Sequence, residues 1–165
     1  MSIVDFLQSR RIRFETLLHR PTSSATKLAQ SIHVPGREVA KTVLVKAGES
    51  YCLAVLPATS RIDLERLGQI LGVPASSVSL ARGNELGRFF GDCELGAVPP
   101  FGRLYGLPTV VDTSLSGSAE IVIPANQRHL GLRLRYRDFE AVESPHRARF
   151  AQPIGKPLEK GDIAK

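Results

Sequence analysis

Several features that would place this sequence in a common protein class are missing from it. Its 165 residues include only two cysteines, Cys52 and Cys93, which are too few for a disulfide framework. No apolar run reaches the roughly 18 residues that a membrane-spanning helix needs. The stretch from Met1 to Arg13 alternates apolar and charged residues and lacks the apolar core of a signal peptide. We therefore expect a cytoplasmic protein with no membrane association.

Signatures of the common catalytic and cofactor sites are also missing. The sequence contains no P-loop, no glycine-rich dinucleotide fingerprint and no Gly-x-Ser-x-Gly nucleophile elbow. The four histidines have no metal-ligand spacing among themselves or with the cysteines: His19, His33, His129 and His146. The sequence thus predicts no metal and no cofactor. A Ser/His/Asp set scattered along the chain stays open, but nothing in the sequence marks one.

The composition is that of one globular domain. Hydrophobic residues make up 42% of the chain and charged residues 23%, and the length suits a single domain with its own core. We find no internal repeats. From Ser144 onward proline, glycine and lysine dominate and the hydrophobic periodicity is lost. The sequence therefore predicts one domain over 1–143 and a basic, loosely ordered tail over 144–165.

Positive charge is concentrated towards the two ends of the chain. The formal net charge is +6, and residues 51–127 carry five Lys or Arg against seven Asp or Glu, so the excess lies on either side of them. If the ends meet in space, they form a basic surface suited to a polyanion. The alternative is an ordinary solvated surface with a basic tail, and charge alone does not separate the two.

Hydrophobic periodicity predicts hairpins interspersed with helices, which is typical of an α+β fold. Ile3, Phe6 and Leu7 recur at helical spacing. Further helices are predicted over 22–32, 62–71 and 84–90, and a helical turn over 138–142. Strands are predicted over 14–19, 41–47, 51–57, 77–80, 107–112, 120–123 and 132–136.

The stretch from Glu94 to Gly102 has the composition of a stiff loop. Pro99 and Pro100 exclude a helix interior and a central strand, because each ring fixes φ and removes an N–H. Gly96 and Gly102 permit positive φ and the close approach of a ligand. The remaining backbone N–H groups of such a loop suit an oxyanion site. The alternative is a common Pro/Gly surface turn.

Lys41 stands at the start of a predicted strand rich in β-branched residues. Side chains alternate along a strand, so Lys41 shares a face with Val43 and Val45. If that face is inward, the lysine reaches for solvent, pairs with an acid or lines a pocket. The alternative is a surface lysine at a strand end. Cys52 is predicted to be a small core residue, and Cys93, just before the proline-rich loop, is either buried filler or close to a site.

These stretches, taken with their order and spacing, resemble a known family. The matching motifs are Ala-Lys-Thr at 40–42, Gly-x-x-x-Pro at 96–100 with Gly102 after it, and Leu-Pro-Thr-Val-Val-Asp at 107–112. Looser matches are Ile-Pro-Ala-Asn-Gln-Arg at 123–128 and Leu-Arg-Tyr-Arg-Asp-Phe at 134–139. Together they resemble the YbaK family, which includes free-standing aminoacyl-tRNA deacylases and the editing insertion domain of bacterial prolyl-tRNA synthetases.

The resemblance implies a mixed, barrel-like β-sheet flanked by helices and an ester hydrolase that acts without a protein nucleophile. It assigns contact with the terminal nucleotide and substrate to Lys41, and backbone support of the reacting carbonyl to Gly96. The terminal hydroxyl of the tRNA is expected to help move protons. The resemblance also implies an aminoacyl-tRNA substrate and a possible synthetase partner, and no DNA. Expected pocket-wall residues are Thr42, Val98, Pro99, Pro100 and Phe101.

Two further side chains are open to two interpretations. Asp112, at a strand end, is a candidate base or substrate contact, or it caps the next turn through Thr113 and Ser114. His19 lines a pocket mouth or lies in an exposed polar turn.

The leading hypothesis for the function is a trans-editing hydrolase for a small mischarged amino acid: alanine, cysteine, serine or threonine. The central loop reads Gly-Ala-Val-Pro-Pro where several relatives carry Gly-Gly and a small polar residue, so the sequence does not choose among them. The alternative is a non-catalytic module of the same fold that binds tRNA or a small ligand.

Overall fold

A computed structural model describes residues 1–22 and 24–154 of the chain. The helices in these residues are α1 (Ile3–Ser9), α2 (Ala25–Ile32), α3 (Leu64–Leu71), α4 (Asn84–Phe89) and α5 (Tyr136–Glu143). The strands are β1 (Glu15–Leu18), β2 (Ala40–Ala47), β3 (Ser50–Pro57), β4 (Ser60–Ile62), β5 (Val78–Leu80), β6 (Thr109–Asp112), β7 (Glu120–Ala125), β8 (Gln127–Arg135), β9 (His146–Ala148) and β10 (Ala151–Pro153). None of the described helices is long and apolar enough to cross a membrane.

The described strands pair as three separate sheets. The largest has the order β5-β2-β3-β6-β9, the second β1-β8-β7 and the third β10-β4. Pairing within the largest sheet is parallel for β3 with β6 and for β6 with β9, and antiparallel elsewhere. The predicted mixed α+β fold is confirmed. The closure implied by "barrel-like" is not, because among the described strands β5 and β9 remain the two ends of an open sheet.

Local sequence signals explain where the two longest predicted helices begin and end. The Ser24 hydroxyl accepts from the N–H of Lys27, and His33 ends α2 in the left-handed conformation. The Asp63 carboxylate caps α3, and Gly72 ends that helix at φ +74°. The helix predicted from residue 62 therefore begins at Leu64, directly after the Asp63 cap. Residues 60–62 form β4, which pairs with β10.

The main core lies between the three-stranded sheet, residues Ala40, Val55 and Val111 of the largest sheet, and helices α1 and α5. Phe101 is fully buried there. Its ring makes edge-on contacts with Phe6, at 5.7 Å between centroids, and with Phe139, at 5.3 Å. A second core packs α3 against the largest sheet through residues such as Leu56 and Leu67. β2 contributes Ala40 to the main core and Val45 to the second core.

The C-terminal part of the fold differs from the prediction. Residues 146–148 form β9, which extends the largest sheet, and β10 pairs with β4. Between them Phe150 is fully buried in the second core. The prediction of a loosely ordered tail from residue 144 is therefore wrong as far as residue 154. β9 reads His-Arg-Ala and β10 reads Ala-Gln-Pro, so neither short strand shows a clear hydrophobic pattern, which is why they escaped detection. Residues 155–165, the rest of the predicted tail, lie outside the described residues.

A tight hairpin between β7 and β8 also departs from the prediction. Asn126 adopts φ +73° between the two strands, so β8 begins at Gln127 and not near Leu132. Asparagine tolerates the left-handed region, which makes it a turn residue of this kind. At its other end β8 stops at Arg135, and Tyr136 is the first residue of α5, not the last of a strand.

Candidate functional site

The candidate site lies along an open edge of β2. This strand pairs with β3 over its whole length but with β5 only over residues 45–47. At its other end, Val39 forms an isolated parallel bridge with Val122 of β7. Pro124 lies two residues further along β7 and has no N–H with which to continue that pairing. The two strands therefore diverge, and a cavity opens beside residues 40–43 of β2.

This cavity, here called the lysine cavity, has a volume of about 200 Å³. Its walls bring together residues that are far apart in sequence: His19 after β1, Leu28 on α2, Lys41 and Thr42 on β2, and Gly96 in the central loop. Four of the predicted site residues thus share one small space: His19, Lys41, Thr42 and Gly96. Ala25, Leu130 and Arg128 also line it.

Lys41 is half-buried in the wall of the lysine cavity. In the described part of the chain, no carboxylate lies within 4.0 Å of its ammonium group; the acids that form ion pairs do so with arginines. Burial alone lowers the pKa of Lys41 below its ordinary value. Of the three alternatives for this lysine, the structure shows the one that lines a pocket. A cation without an acid partner is available to an anionic ligand.

Gly96 occupies a turn that only a few residue types can adopt. The N–H of Ala97 donates to the carbonyl of Glu94 at 3.0 Å, and Gly96 has φ +82°. This hydrogen bond, with positive φ at the third position, is typical of a type II turn, which strongly favours glycine there. The predicted stiff loop is therefore present, and its turn faces the lysine cavity.

Asn126 ties this turn to the β7–β8 hairpin. Its backbone N–H donates to Ala97 O at 2.9 Å, and its carbonyl accepts from the N–H of Glu94 at 2.8 Å. Its side chain accepts from the N–H of Ile3 at 2.9 Å. The Asn126 side-chain amide also donates to the Cys93 sulfur at 3.4 Å. One buried residue thus fixes both ends of the turn that holds Gly96.

Two polar atoms in the wall of the lysine cavity are left without partners among the described residues. Thr42 Oγ1 is buried and accepts or donates no hydrogen bond. The His19 ring has Nδ1 at 2.7 Å from the Arg20 carbonyl, and Nε2 is buried and unbonded. Because a carbonyl only accepts, Nδ1 carries a proton. In the neutral ring Nε2 is then a free acceptor. Buried polar atoms of this kind are satisfied by a ligand or water.

Cys93 lies close to the turn but does not have the properties of a nucleophile. Its sulfur is 3.1 Å from the Tyr105 hydroxyl and 3.3 Å from an oxygen of Asp92. Burial is the largest of the effects that raise the pKa of Cys93 to about 11, so the thiol keeps its proton at neutral pH. Cys52 is buried in the core, as predicted.

Other residues predicted to line the pocket lie elsewhere. Val98 lines a different cavity, described below. Pro99 and Pro100 are buried outside the walls of both cavities, and Phe101 is fully inside the main core. The prediction that these three form a pocket wall is wrong, because the Phe101 ring packs against Phe6 and Phe139 in the main core and the two prolines before it are buried. Gly102 is needed for packing, since a Cβ there would overlap the carbonyl oxygen of Leu107.

Asp112 has a structural role. The structure gives no support to the prediction that it contacts the substrate. The carboxylate is buried and accepts hydrogen bonds from the backbone and hydroxyl of Ser114, as a cap. It also accepts from the N–H groups of Phe150 and Ala151, both at 2.9 Å. Burial is the largest single influence on the pKa of Asp112 and raises it. The hydrogen bonds together outweigh burial, so the pKa lies below its ordinary value. Asp112 lies in neither cavity wall.

Sequence reasoning missed Asn126, Arg128 and the α2 residues of the site. Asn126 and Arg128 stand in the 123–128 motif, where an asparagine between two strands is a signal for positive φ. Arg128 lines the lysine cavity and forms a 3.3 Å ion pair with Glu94. Nothing local in the sequence places α2 against β2. Among the described residues, no group of three or more His, Cys, Asp or Glu could hold a metal.

Comparison with known proteins relates the chain to editing domains. A family model described as "Aminoacyl-tRNA editing domain" matches residues 19–142. The chain is 30% identical over 101 residues to a proline–tRNA ligase of Lactobacillus gasseri, a match that covers 61% of this chain and 17% of that protein. The chain therefore spans only a small part of the length of that relative.

Two solved structures share the fold. One is a hypothetical protein with a TM-score of 0.82 and 22% identity, over 91% of this chain and 99% of that chain. The other is described as a candidate trans-editing enzyme for prolyl tRNA synthetase, with a TM-score of 0.74 and 21% identity, over 88% and 92% of the two chains. Because the family model spans most of its length, the chain belongs to the aminoacyl-tRNA editing domain family, the YbaK-like family that its motifs resemble.

Proposed function

We propose that this protein is an aminoacyl-tRNA deacylase that hydrolyses, in trans, the ester of a small mischarged amino acid. The observation that carries the proposal is the lysine cavity itself, where a half-buried Lys41, with no acid partner among the described residues, faces a glycine turn. Ester hydrolysis needs stabilisation of negative charge on the former carbonyl oxygen. A desolvated cation and fixed backbone dipoles supply that stabilisation.

Lys41 acts in this proposal as a cation that contacts the ester end of the terminal nucleotide and the reacting group. Removal of the ammonium group from bulk water strengthens its attraction to a developing oxyanion, because the local dielectric is lower. Gly96 supports the reacting carbonyl through the backbone. Its turn is held in place before the substrate arrives by the Asn126 hydrogen bonds, so little reorganisation is needed.

The reaction uses water as the nucleophile. Water attacks the ester carbonyl, the tetrahedral intermediate collapses, and the bond between the acyl carbon and the ribose oxygen breaks. That oxygen takes a proton, and the free amino acid leaves. Cys93 is protonated and Asp112 is fully engaged, so neither takes part. The 2′-hydroxyl of the terminal adenosine moves the proton, and His19 Nε2 is the protein atom that could compete for this role.

The size of the lysine cavity favours a small amino acid. Its volume of about 200 Å³ is below the roughly 300–1,000 Å³ of common ligand pockets. Ala25, Leu28 and Leu130 form apolar walls. Alanine, cysteine, serine and threonine all remain candidate side chains, because one methylene changes pocket binding by only about 1–3 kcal/mol. Aminoacyl-tRNA is made in the cytoplasm, so the proposal includes that location.

The test is deacylation of a panel of mischarged tRNAs by the purified protein. Because a relative is a proline–tRNA ligase, the panel begins with tRNA for proline charged with alanine, cysteine or serine, with correctly charged prolyl-tRNA as the control. Release of one small amino acid by the parent, and not by Lys41→Ala, is the expected result. If no ester is cleaved, with or without added synthetase, the hydrolase is rejected in favour of a binding module.

A further inference from the structure

A second cavity adjoins the lysine cavity and has no part in the proposed reaction. Its volume is about 650 Å³, and its walls come from β2, β5, α4 and the central loop. Thr42, Val43 and Gly96 line both cavities, so the two spaces meet at the residue proposed to support the reacting carbonyl. We call it the leucine cavity, after Leu44, Leu80, Leu86 and Leu95 in its walls.

The walls of the leucine cavity are largely apolar, with a few polar groups among them. Phe90 and Val98 add to the leucines, while Arg82, Cys93 and Glu94 bring the polar atoms. Leu80 is 44% exposed and Leu95 is 78% exposed. Their side chains therefore leave a large apolar surface in contact with solvent. An apolar cleft with a few polar groups is typical of a small-molecule site, and this volume lies within the roughly 300–1,000 Å³ range of such sites.

We propose that the leucine cavity binds the terminal nucleoside of the aminoacylated strand, while the lysine cavity holds the amino acid. This inference rests on the proposed function. The ester joins the amino acid to the ribose, so the reacting carbon must lie where the two parts of the substrate meet. The two cavities meet at Thr42 and Gly96. The larger group of the substrate then occupies the larger space, and the smaller group the smaller space.

Polar atoms at and beside the junction suit this occupant. The buried Thr42 hydroxyl has no partner among the described residues and can bond a ribose oxygen. Arg82 lines the leucine cavity. Its guanidinium group can meet the phosphate of the incoming strand. The π-faces of a nucleobase can pack against apolar and aromatic walls of this kind. Glu94 is paired with Arg128, which reduces its repulsion of phosphate.

The probe is adenosine 5′-monophosphate, titrated into the parent protein and followed by methyl NMR. Shifts are expected at Leu86 and Val98, and not at Leu28, which lines only the lysine cavity. Ribose 5-phosphate, which lacks the base, is expected to bind at least tenfold more weakly. Equal binding of the two compounds, or shifts confined to Leu28, would overturn the nucleoside site, as would binding of neither.

A matched pair of variants tests the same site through turnover. Leu80→Trp places a large ring at the rim of the leucine cavity, and Leu64→Trp adds the same ring on α3, where the leucine is 37% exposed. We expect Leu80→Trp to weaken nucleotide binding at least tenfold and to raise KM for the mischarged tRNA. Leu64→Trp should change neither of these, and the melting temperatures of both variants check folding.

The outcomes separate this inference from the proposed function. If nucleotide binds in the leucine cavity but no tRNA is deacylated, the nucleoside site stands and the hydrolase falls. If deacylation occurs and Leu80→Trp leaves both KM and nucleotide binding unchanged, the hydrolase stands and the nucleoside site falls. A second copy of the chain on this apolar surface would show as a dimer that Leu80→Trp disrupts, with no nucleotide bound, and would also reject the proposal.

Discussion

The backbone N–H of Asn126 donates to the carbonyl oxygen of Ala97 across 2.9 Å, and this bond couples the β7–β8 hairpin to the turn that carries Gly96. Asn126 makes the contact at φ +73°, a conformation that most residues adopt only with strain. The same residue lies close to Cys93 and the start of α1. The position of the glycine turn is therefore determined by a residue 30 positions further along the chain, as the numbering of the two residues shows.

We expect Asn126→Gly and Asn126→Ala to have different effects. Glycine keeps the positive φ and both backbone bonds, so turnover should stay within a few-fold of the parent value. Loss of the side-chain acceptor for the Ile3 N–H should cost about 1–3 kcal/mol of unfolding free energy. Alanine adds backbone strain of about 1–3 kcal/mol and should reduce single-turnover rates at least tenfold. Urea denaturation and single-turnover deacylation measure both effects. Equal turnover in the two variants would argue against a positioning role.

Replacement of Lys41 by methionine should separate activity from stability. Turnover should fall about 10²–10³-fold, the loss typical of one group that stabilises an oxyanion. At neutral pH the variant should be at least as stable as the parent, because a desolvated charge is removed. Lys46→Met, on the same strand, is the control for turnover. A Lys41→Met variant that keeps the parent rate would reject the assignment.

The stability difference between the parent and Lys41→Met should depend on pH. The pKa of Lys41 is lower in the folded state than its ordinary value of 10.5. Between these two pKa values the unfolded chain binds more protons, so the parent gains stability as the pH rises through that window. The advantage of Lys41→Met should therefore shrink above neutral pH and be smallest near 10.5, as measured by urea denaturation. An advantage that grows with pH would show that burial does not disfavour the charged form.

Gly96→Ala is expected to impair turnover by more than its effect on stability explains. An alanine must adopt φ +82° there or shift the turn. Gly48→Ala is the matched control, since Gly48 has φ +62° and open space around it in the β2–β3 hairpin. Both should lose about 1 kcal/mol or more of stability. Only Gly96→Ala should lower the single-turnover rate, by tenfold or more. Parallel losses in both variants would make Gly96 merely structural.

Binding of tRNA should weaken steeply with salt. Arg20 and Lys27 are exposed and follow or precede the cavity-wall residues His19 and Leu28 in the sequence, and Arg128 lines the cavity. Each phosphate that a cation neutralises contributes about −0.7 to −0.9 to the slope of log K against log salt. Arg20→Ala and Lys27→Ala should each make the slope shallower, while Arg66→Ala on α3 should not. An affinity that is flat between low and moderate salt would favour a small-molecule ligand.

The 2′-hydroxyl of the terminal adenosine should matter more to the reaction than His19. Matched tRNAs that carry the amino acid on the 3′-oxygen, with and without the 2′-hydroxyl, should differ about 10²–10⁴-fold in single-turnover rate, the range of general-base catalysis. His19→Gln keeps a polar atom near the Nε2 position and should change the rate less than tenfold. Equal rates for the two tRNAs, with a large loss in His19→Gln, would show that the His19 imidazole, and not the 2′-hydroxyl, moves the proton.

The sequence by itself determined most of the helices and the longer strands, and the glycine turn. Hydrophobic period, cap residues and glycine or proline signals depend on neighbours a few residues apart, so α2, α3 and the β2–β3 pair follow from them. The order and spacing of the motifs in turn led to the family. Lys41 was marked as unusual because a charge stands on an apolar strand face, but whether that face met a pocket was left open.

Only the tertiary structure decided which residues share the site. Pro124 ends the pairing of β2 with β7 and opens the lysine cavity, a consequence visible only once the two strands are placed side by side. The ring of Phe101 goes to the core because Phe6 and Phe139 surround it there. Asp112 became a structural acceptor because the segment at Phe150 returns to it. These contacts join residues 38 to 95 positions apart, and local sequence carries no information about such distances.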